Sequence, residues 1–266
     1  MPVNTLKRNN VKVINDLKKD KTIIFAHGFG TDQTAWDLVV NAFKDEYRIV
    51  LYDNVGAGKS DPEAFSPNKY DNLESYANDL IDICYTLDIK DATIVAHSVS
   101  AMISILAANK EPQLFSKMIL VGASPRYLND TGYVGGFDQP SLDDLFEAMS
   151  NNYFAWVSGF SAAAMGNPDK PELARHFAET LKTIRPDIAQ SVAKVIFLSD
   201  HRQDLSQIDK PILLLQTRQD IAVPMEVATY LNARLKGSTL TVVNAEGHFP
   251  HISAADEIIR EIKKFI

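Results

Sequence analysis

A chain of 266 residues suits one large domain or two small ones. Hydrophobic residues at 45% and charged residues at 23% sit near the globular average, which excludes a disordered or fibrous chain. A formal charge of -7, from 27 basic and 34 acidic residues, argues against nucleic-acid and anionic-membrane partners, because both need a basic patch. The single cysteine, Cys84, excludes an intramolecular disulfide framework and any multi-cysteine metal site. It lies in the apolar run Leu80-Ile81-Asp82-Ile83-Cys84 and is expected to be buried. Residues 1–21 are polar and basic, without the apolar stretch of a secretory signal, and no apolar run approaches a membrane span. A cytoplasmic protein is the expectation.

In chain order, the first buried strand is expected at 21–26. It leads into Ala26-His27-Gly28-Phe29-Gly30, whose glycines allow a loop with backbone N–H groups aimed at an oxyanion. His27 is expected to support that loop rather than act as a base. A second strand is expected at 47–52. Behind it, Gly56-Ala57-Gly58-Lys59-Ser60 imitates a phosphate-binding loop but has Asp53 where that motif needs glycine. Asp53 and the glycines are expected to shape the loop instead. Helical spacing follows over 73–87, then a third strand over 92–96.

That third strand runs into His97-Ser98-Val99-Ser100 and a helix over 101–109. A serine on a sharp strand-to-helix turn projects its hydroxyl above the sheet edge, and small residues two positions either side let the backbones pass. Here the flanks are Ala96 and Ser100, so the strict glycine pattern fails and an ordinary helix cap is the competing reading. A fourth strand is expected at 118–121. The alternation then breaks between about 124 and 200, in a stretch rich in helix formers and aromatic residues. It reads as a helical insertion between two parts of one sheet.

The strand pattern resumes at 212–215, followed by Gln216-Thr217-Arg218-Gln219-Asp220. A helix over 226–235 and a strand over 240–243 precede Glu246-Gly247-His248, and a last helix covers 255–265. Continuous rather than alternating apolar strands imply parallel strands covered on both faces, hence an open α/β sheet. The order Ser98, Asp220, His248 is that of an α/β-hydrolase triad. A serine hydroxyl needs a base, His248 supplies one near neutral pH, and Asp220 would hold its tautomer. By motif geometry the oxyanion donors are the N–H groups of Phe29 and Val99. His201 and His251 have no second Cys/His cluster nearby in sequence and are expected to be hydrogen-bonding surface or structural residues. His176 is expected to be solvated.

The chain resembles the α/β-hydrolases that include the bacterial stress-response regulator RsbQ and the plant strigolactone and karrikin receptors. The matching segments are HGFGTDQTAW from His27, YDNVGAGKSD from Tyr52, AHSVSAMISILA from Ala96, GASPRYLND from Gly122 and EGHFPHIS from Glu246. Ala96 departs from the group, which more often has glycine there; Ser100 is shared with the plant receptors. The resemblance implies an α/β-hydrolase fold with a mostly parallel sheet, its core in residues 1–124 and 200–266, and a helical lid over 125–199. It implies the same triad and oxyanion donors, and aromatic lid residues around a small cavity. Phe29, Tyr127, Phe137, Trp156, Phe160 and Phe197 are the expected substrate contacts. No cofactor or metal is expected. The expected activity is hydrolysis of a small apolar ester or butenolide-type lactone. The alternative is a ligand sensor in which hydrolysis is slow and a signalling partner protein reads the output. Ser98 argues against a dehalogenase, which needs Asp at the turn. A cofactor-free perhydrolase or a C–C hydrolase could use the same three residues.

Overall fold

The computed structural model describes residues 4–17 and 20–266; residues 1–3, 18 and 19, which fall in the expected core segment, lie outside the described residues. Seven strands form one sheet: β1 (Lys12–Ile14), β2 (Thr22–Ala26), β3 (Arg48–Tyr52), β4 (Ala92–His97), β5 (Phe115–Val121), β6 (Ile212–Gln219) and β7 (Ser238–Glu246). Their order is β1-β3-β2-β4-β5-β6-β7. Only β1 is antiparallel to its neighbour; every other pair is parallel. The expected α/β-hydrolase architecture is borne out. The six strands read from the sequence are present. β1 was missed because it is a three-residue edge strand of mixed burial, and β6 runs past its apolar run as far as Gln219.

Alternation along each strand divides the core between two faces. Ile24 and Ala26 point to one face, with the helices Leu73–Thr86 and Val99–Lys110. Ile23 and Phe25 point to the other, with Trp36, Phe43, Ile258 and Ile262. Both faces of β2 are therefore dry, which is why its sequence reads as one continuous apolar run. Cys84 is buried on the inner side of the Leu73–Thr86 helix, and burial pushes its thiol up to about 12.

Four helices stand between β5 and β6: Gln139–Asn151, Tyr153–Met165, Pro171–Lys182 and Pro186–Leu198. The side chains of Asp138 and Asn152 cap the first two, accepting from Ser141 N–H at 2.9 Å and Ala155 N–H at 3.1 Å. The two ends of this segment meet in an ion-pair network. Arg126 reaches Asp200 at 2.8 Å, and Arg202 reaches Asp200 at 2.7 Å and Asp130 at 2.8 Å. One surface pair contributes little, but a shared network fixes where the segment leaves and rejoins the sheet.

Candidate active site

The parallel strands β4, β6 and β7 all end at the same sheet edge, and each delivers one polar residue there. Ser98 follows β4 directly and adopts φ 55 and ψ -123, a conformation L-residues rarely occupy. Its N–H donates to Val121 O at 2.9 Å, while its carbonyl accepts from Ala101 N–H at 2.9 Å. The turn is thus held by β5 on one side and the helix on the other. Ser100 ties that helix down: its hydroxyl donates to His27 O at 2.5 Å and accepts from the Asn54 side chain at 3.2 Å. Ala96 is fully buried without breaking the turn.

His248 Nε2 lies 2.8 Å from Ser98 Oγ, and His248 Nδ1 lies 2.8 Å from Asp220 Oδ2. An ionised carboxylate can only accept, so the ring carries its proton on Nδ1 and offers Nε2 to the serine. Asp220 Oδ1 accepts from the N–H groups of Ala222 at 2.8 Å and Val223 at 3.1 Å. Gln216 donates to Asp220 Oδ2 at 3.4 Å and to Val223 O at 2.9 Å. Sequence reasoning gave Gln216 no role; its only signal is a polar residue that remains buried at the end of a strand.

The Tyr153–Met165 helix reaches this edge through its last turn. His248 N–H donates to Ala164 O at 2.8 Å, satisfying a carbonyl that has no partner within the helix. Gly247, at φ 82, makes that approach possible, since a Cβ there would lie 1.9 Å from Met165 O. Asn167 closes the contact by donating to Glu246 O at 3.0 Å.

The loop after β2 lies against the Ser98 turn. A Cβ on Gly28 would stand 3.1 Å from Ser98 Cβ and 2.4 Å from His97 Nδ1. His27 is fully engaged, donating from Nδ1 to Gly28 O at 2.8 Å and accepting at Nε2 from Asn54 N–H at 2.9 Å. It is a brace. Val99 opens its helix, where the N–H has no intrahelical acceptor. The loop that imitates a phosphate site closes on Asp53, whose carboxylate accepts from Lys59 N–H, Gln33 N–H and the Asn10 side chain at 2.8, 2.9 and 2.8 Å. A carboxylate occupies the place a phosphate would need.

Beside Ser98, Asp220 and His248 stand His97 and His251, both fully buried. His97 lies 4.4 Å from His251, ring to ring, and His251 stacks on Trp36 at 4.3 Å. Burial and the neighbouring His248 hold His251 down to about 3; burial also keeps His97 well below the usual imidazole range. His251 is therefore a buried packing residue and not a surface one. His201 pairs with Asp204 at 3.0 Å.

The expected aromatic contacts separate into three groups. Tyr127 and Phe137 meet Phe197 edge-on at 5.1 and 5.4 Å, and the Tyr127 hydroxyl lies 3.2 Å from Ser98 Oγ. Trp156 and Phe160 stack on each other at 4.9 Å and connect to His248 through Phe177 and Phe249. Phe29 lines a small apolar cavity of about 30 Å³ with Val55, Leu73, Val99, Ile103 and Ile196. Tyr127, Phe137, Trp156, Phe160 and Phe197 do not line that cavity.

The α/β hydrolase fold family matches residues 21–255. The chain is a member of this family. It is 43% identical to the strigolactone esterase D14 of Arabidopsis thaliana, over 98% of this chain and 97% of that one. It is 42% identical to the karrikin insensitive 2 receptor CA of Petunia hybrida, over 97% and 95%. A solved hydrolase from Oleispira antarctica superposes with a TM-score of 0.95 at 33% identity, covering 98% of this chain and 96% of that one. The resemblance to the strigolactone and karrikin receptor group is borne out at these identities. This α/β-hydrolase has relatives named as esterases, which supports ester hydrolysis. Among the described residues, no helix is long and apolar enough to cross a membrane, and no group of three or more His, Cys, Asp or Glu is placed to hold a metal ion.

Proposed function

We propose that this α/β-hydrolase cleaves a small apolar ester or butenolide-type lactone, with Ser98 as nucleophile, His248 as base and Asp220 as its orienter. The observation that carries the reading is the unbroken hydrogen-bonded line from Asp220 through His248 to Ser98, 2.8 Å at each step. Ser98 Oγ attacks the carbonyl carbon as His248 Nε2 takes its proton. Oxygen of the tetrahedral intermediate takes the negative charge, and the N–H groups of Phe29 and Val99 are its proposed donors. His248 then protonates the leaving alcohol or enol. Water, deprotonated by the same nitrogen, releases the acyl group. For a lactone the leaving group stays tethered until that second step.

The cavity beside Phe29 and Val99 supports a small apolar acyl group: about 30 Å³ admits roughly two water-sized groups. In this reading residues 125–199 act as a lid, and Phe29, Tyr127, Phe137, Trp156, Phe160 and Phe197 contact substrate as it opens. A cytoplasmic location goes with this reading. The test is steady-state hydrolysis of p-nitrophenyl acetate and a fluorogenic butenolide by the wild type and by Ser98→Ala, each checked by thermal melting. Turnover confined to the wild type supports the proposal. A folded Ser98→Ala protein that retains more than a few percent of the rate places the nucleophile elsewhere.

A second reading draws on the 42% identity to a relative named a receptor. Here a bound or acylated ligand biases the lid, and a partner protein reads the result. Turnover would then fall well below the median enzyme value of about 10 per second. The bias could not exceed the ligand's differential affinity for the two lid arrangements. A ligand-dependent melting shift in Ser98→Ala supports this reading; fast turnover with no such shift leaves a metabolic esterase.

A further inference from the structure

We propose that Tyr127 is a catalytic residue whose hydroxyl donates to Ser98 Oγ and speeds release of the acyl group more than its capture. The proposal rests on the serine-hydrolase reading above. The two oxygens are 3.2 Å apart. Ser98 has one proton, and it lies between Ser98 and His248 Nε2 at 2.8 Å. The proton on the Tyr127–Ser98 contact therefore belongs to the phenol. Tyr127 is 4% exposed, and burial raises its ionisation far above neutral pH, so the phenol keeps that proton throughout turnover.

The ring is held where it must be to do this. Tyr127 O accepts from Phe137 N–H at 3.1 Å, and the ring edge packs on Phe197 at 5.1 Å. Gly135 closes on the same carbonyl so tightly that a Cβ there would lie 2.5 Å from it. A neighbouring tyrosine, Tyr133, donates to Arg126 O at 2.8 Å and fixes the residue before.

The asymmetry follows from what Ser98 Oγ is in each half of the reaction. Free Ser98 is a hydroxyl, already a good acceptor, so a donor stabilises the ground state of acylation almost as well as its transition state. In the acyl-enzyme the same oxygen is the alkoxy oxygen of an ester, a poor acceptor. During deacylation water adds to the acyl carbon and His248 Nε2 takes the water proton. The C–Oγ bond then breaks, its electron pair goes to Oγ, and His248 returns that proton to Oγ, leaving the free acid and Ser98. Negative charge develops on Oγ as the bond breaks, and the Tyr127 donor is already in place to meet it. Hydrogen bonds to developing charge are the ones that accelerate a step.

The experiment is stopped-flow hydrolysis of p-nitrophenyl acetate by the wild type and Tyr127→Phe, with acyl-enzyme decay followed separately by intact mass. Tyr127→Phe should slow deacylation about tenfold and acylation by less than about threefold, the loss expected of one charge-assisted hydrogen bond acting on one step. The burst amplitude should therefore rise towards one product per site. Equal slowing of both steps would reduce Tyr127 to a pocket wall and overturn the proposal, as would unchanged or faster deacylation. Tyr127→Leu, which also lacks the hydroxyl, must show the same selective slowing and serves if Tyr127→Phe melts below the assay temperature. A burst that survives in Ser98→Ala instead defeats the reading of the site, a result separable from any behaviour of the Tyr127 variants.

Discussion

His97 donates its Nε2–H to the main-chain carbonyl of His248 at 2.7 Å, across 151 residues of sequence. The other face of its function is steric, because Nδ1 sits where a side chain on Gly28 would have to be. One fully buried ring thus touches the backbone of His248, adjoins Ser98 in sequence and abuts the loop that carries Phe29. His97→Leu keeps the bulk and loses the donor. Its kcat should fall at least tenfold with KM changed much less, since the base shifts while the pocket does not. His97→Gln, whose amide nitrogen reaches a similar position, should recover part of that loss. Equal kcat in the Leu and Gln variants would show that the hydrogen bond is irrelevant.

Asp220→Asn should cost about ten-thousandfold in kcat with little change in melting. The orientation of the new amide is dictated by its neighbours. Ala222 and Val223 N–H groups require an acceptor at the Oδ1 position, so the amide nitrogen must face His248 Nδ1. The ring then has to accept at Nδ1 and carries its proton on Nε2, facing Ser98, where it can no longer act as a base. Near-normal kcat in this variant would show that the carboxylate on His248 Nδ1 does not orient the base.

The buried imidazoles make stability depend on pH. His251, held down to about 3, and His97, held well below the usual range, stay neutral in the folded protein and protonate near 6.5 once unfolded. Between these values the unfolded state binds more protons, so stability is fully present above about 6.5 and is lost as pH falls towards 3. Each such group contributes up to about 1.4 kcal/mol per pH unit in that window. His251→Phe preserves a ring against Trp36 and removes the titration. Denaturant melts between pH 6.5 and 5 should show a shallower acid slope for this variant, by about one proton. Identical slopes would mean that His251 is already protonated in the folded state.

The strand pattern, the insertion and the residues Ser98, Asp220 and His248 were legible because each is written locally. An apolar run, a turn and a polar residue at its end occupy a few adjacent positions, and parallel strands bring such ends to one edge. What could not be read depends on distant segments meeting. Nothing near Tyr127 signals that its hydroxyl reaches Ser98, and nothing near Gly247 signals Met165 O at its Cα. The aromatic residues were legible as part of the helical segment between β5 and β6 but not by direction. The Tyr153–Met165 helix is apolar nearly all round, so its spacing does not say that Trp156 and Phe160 stack on each other while Tyr127 and Phe137 gather on Phe197. β1 escaped because three residues of mixed burial carry no period.

The central claim is that Ser98 becomes covalently acylated, and intact-protein mass spectrometry with peptide mapping tests it most directly. Wild-type protein quenched early in p-nitrophenyl acetate turnover should gain one acetyl group, mapped to Ser98. With a butenolide, the added fragment should map to Ser98 or, after transfer, to His248. Ser98→Ala should gain neither. A fragment mapped outside Ser98 and His248, or the same labelling in Ser98→Ala, would contradict the account.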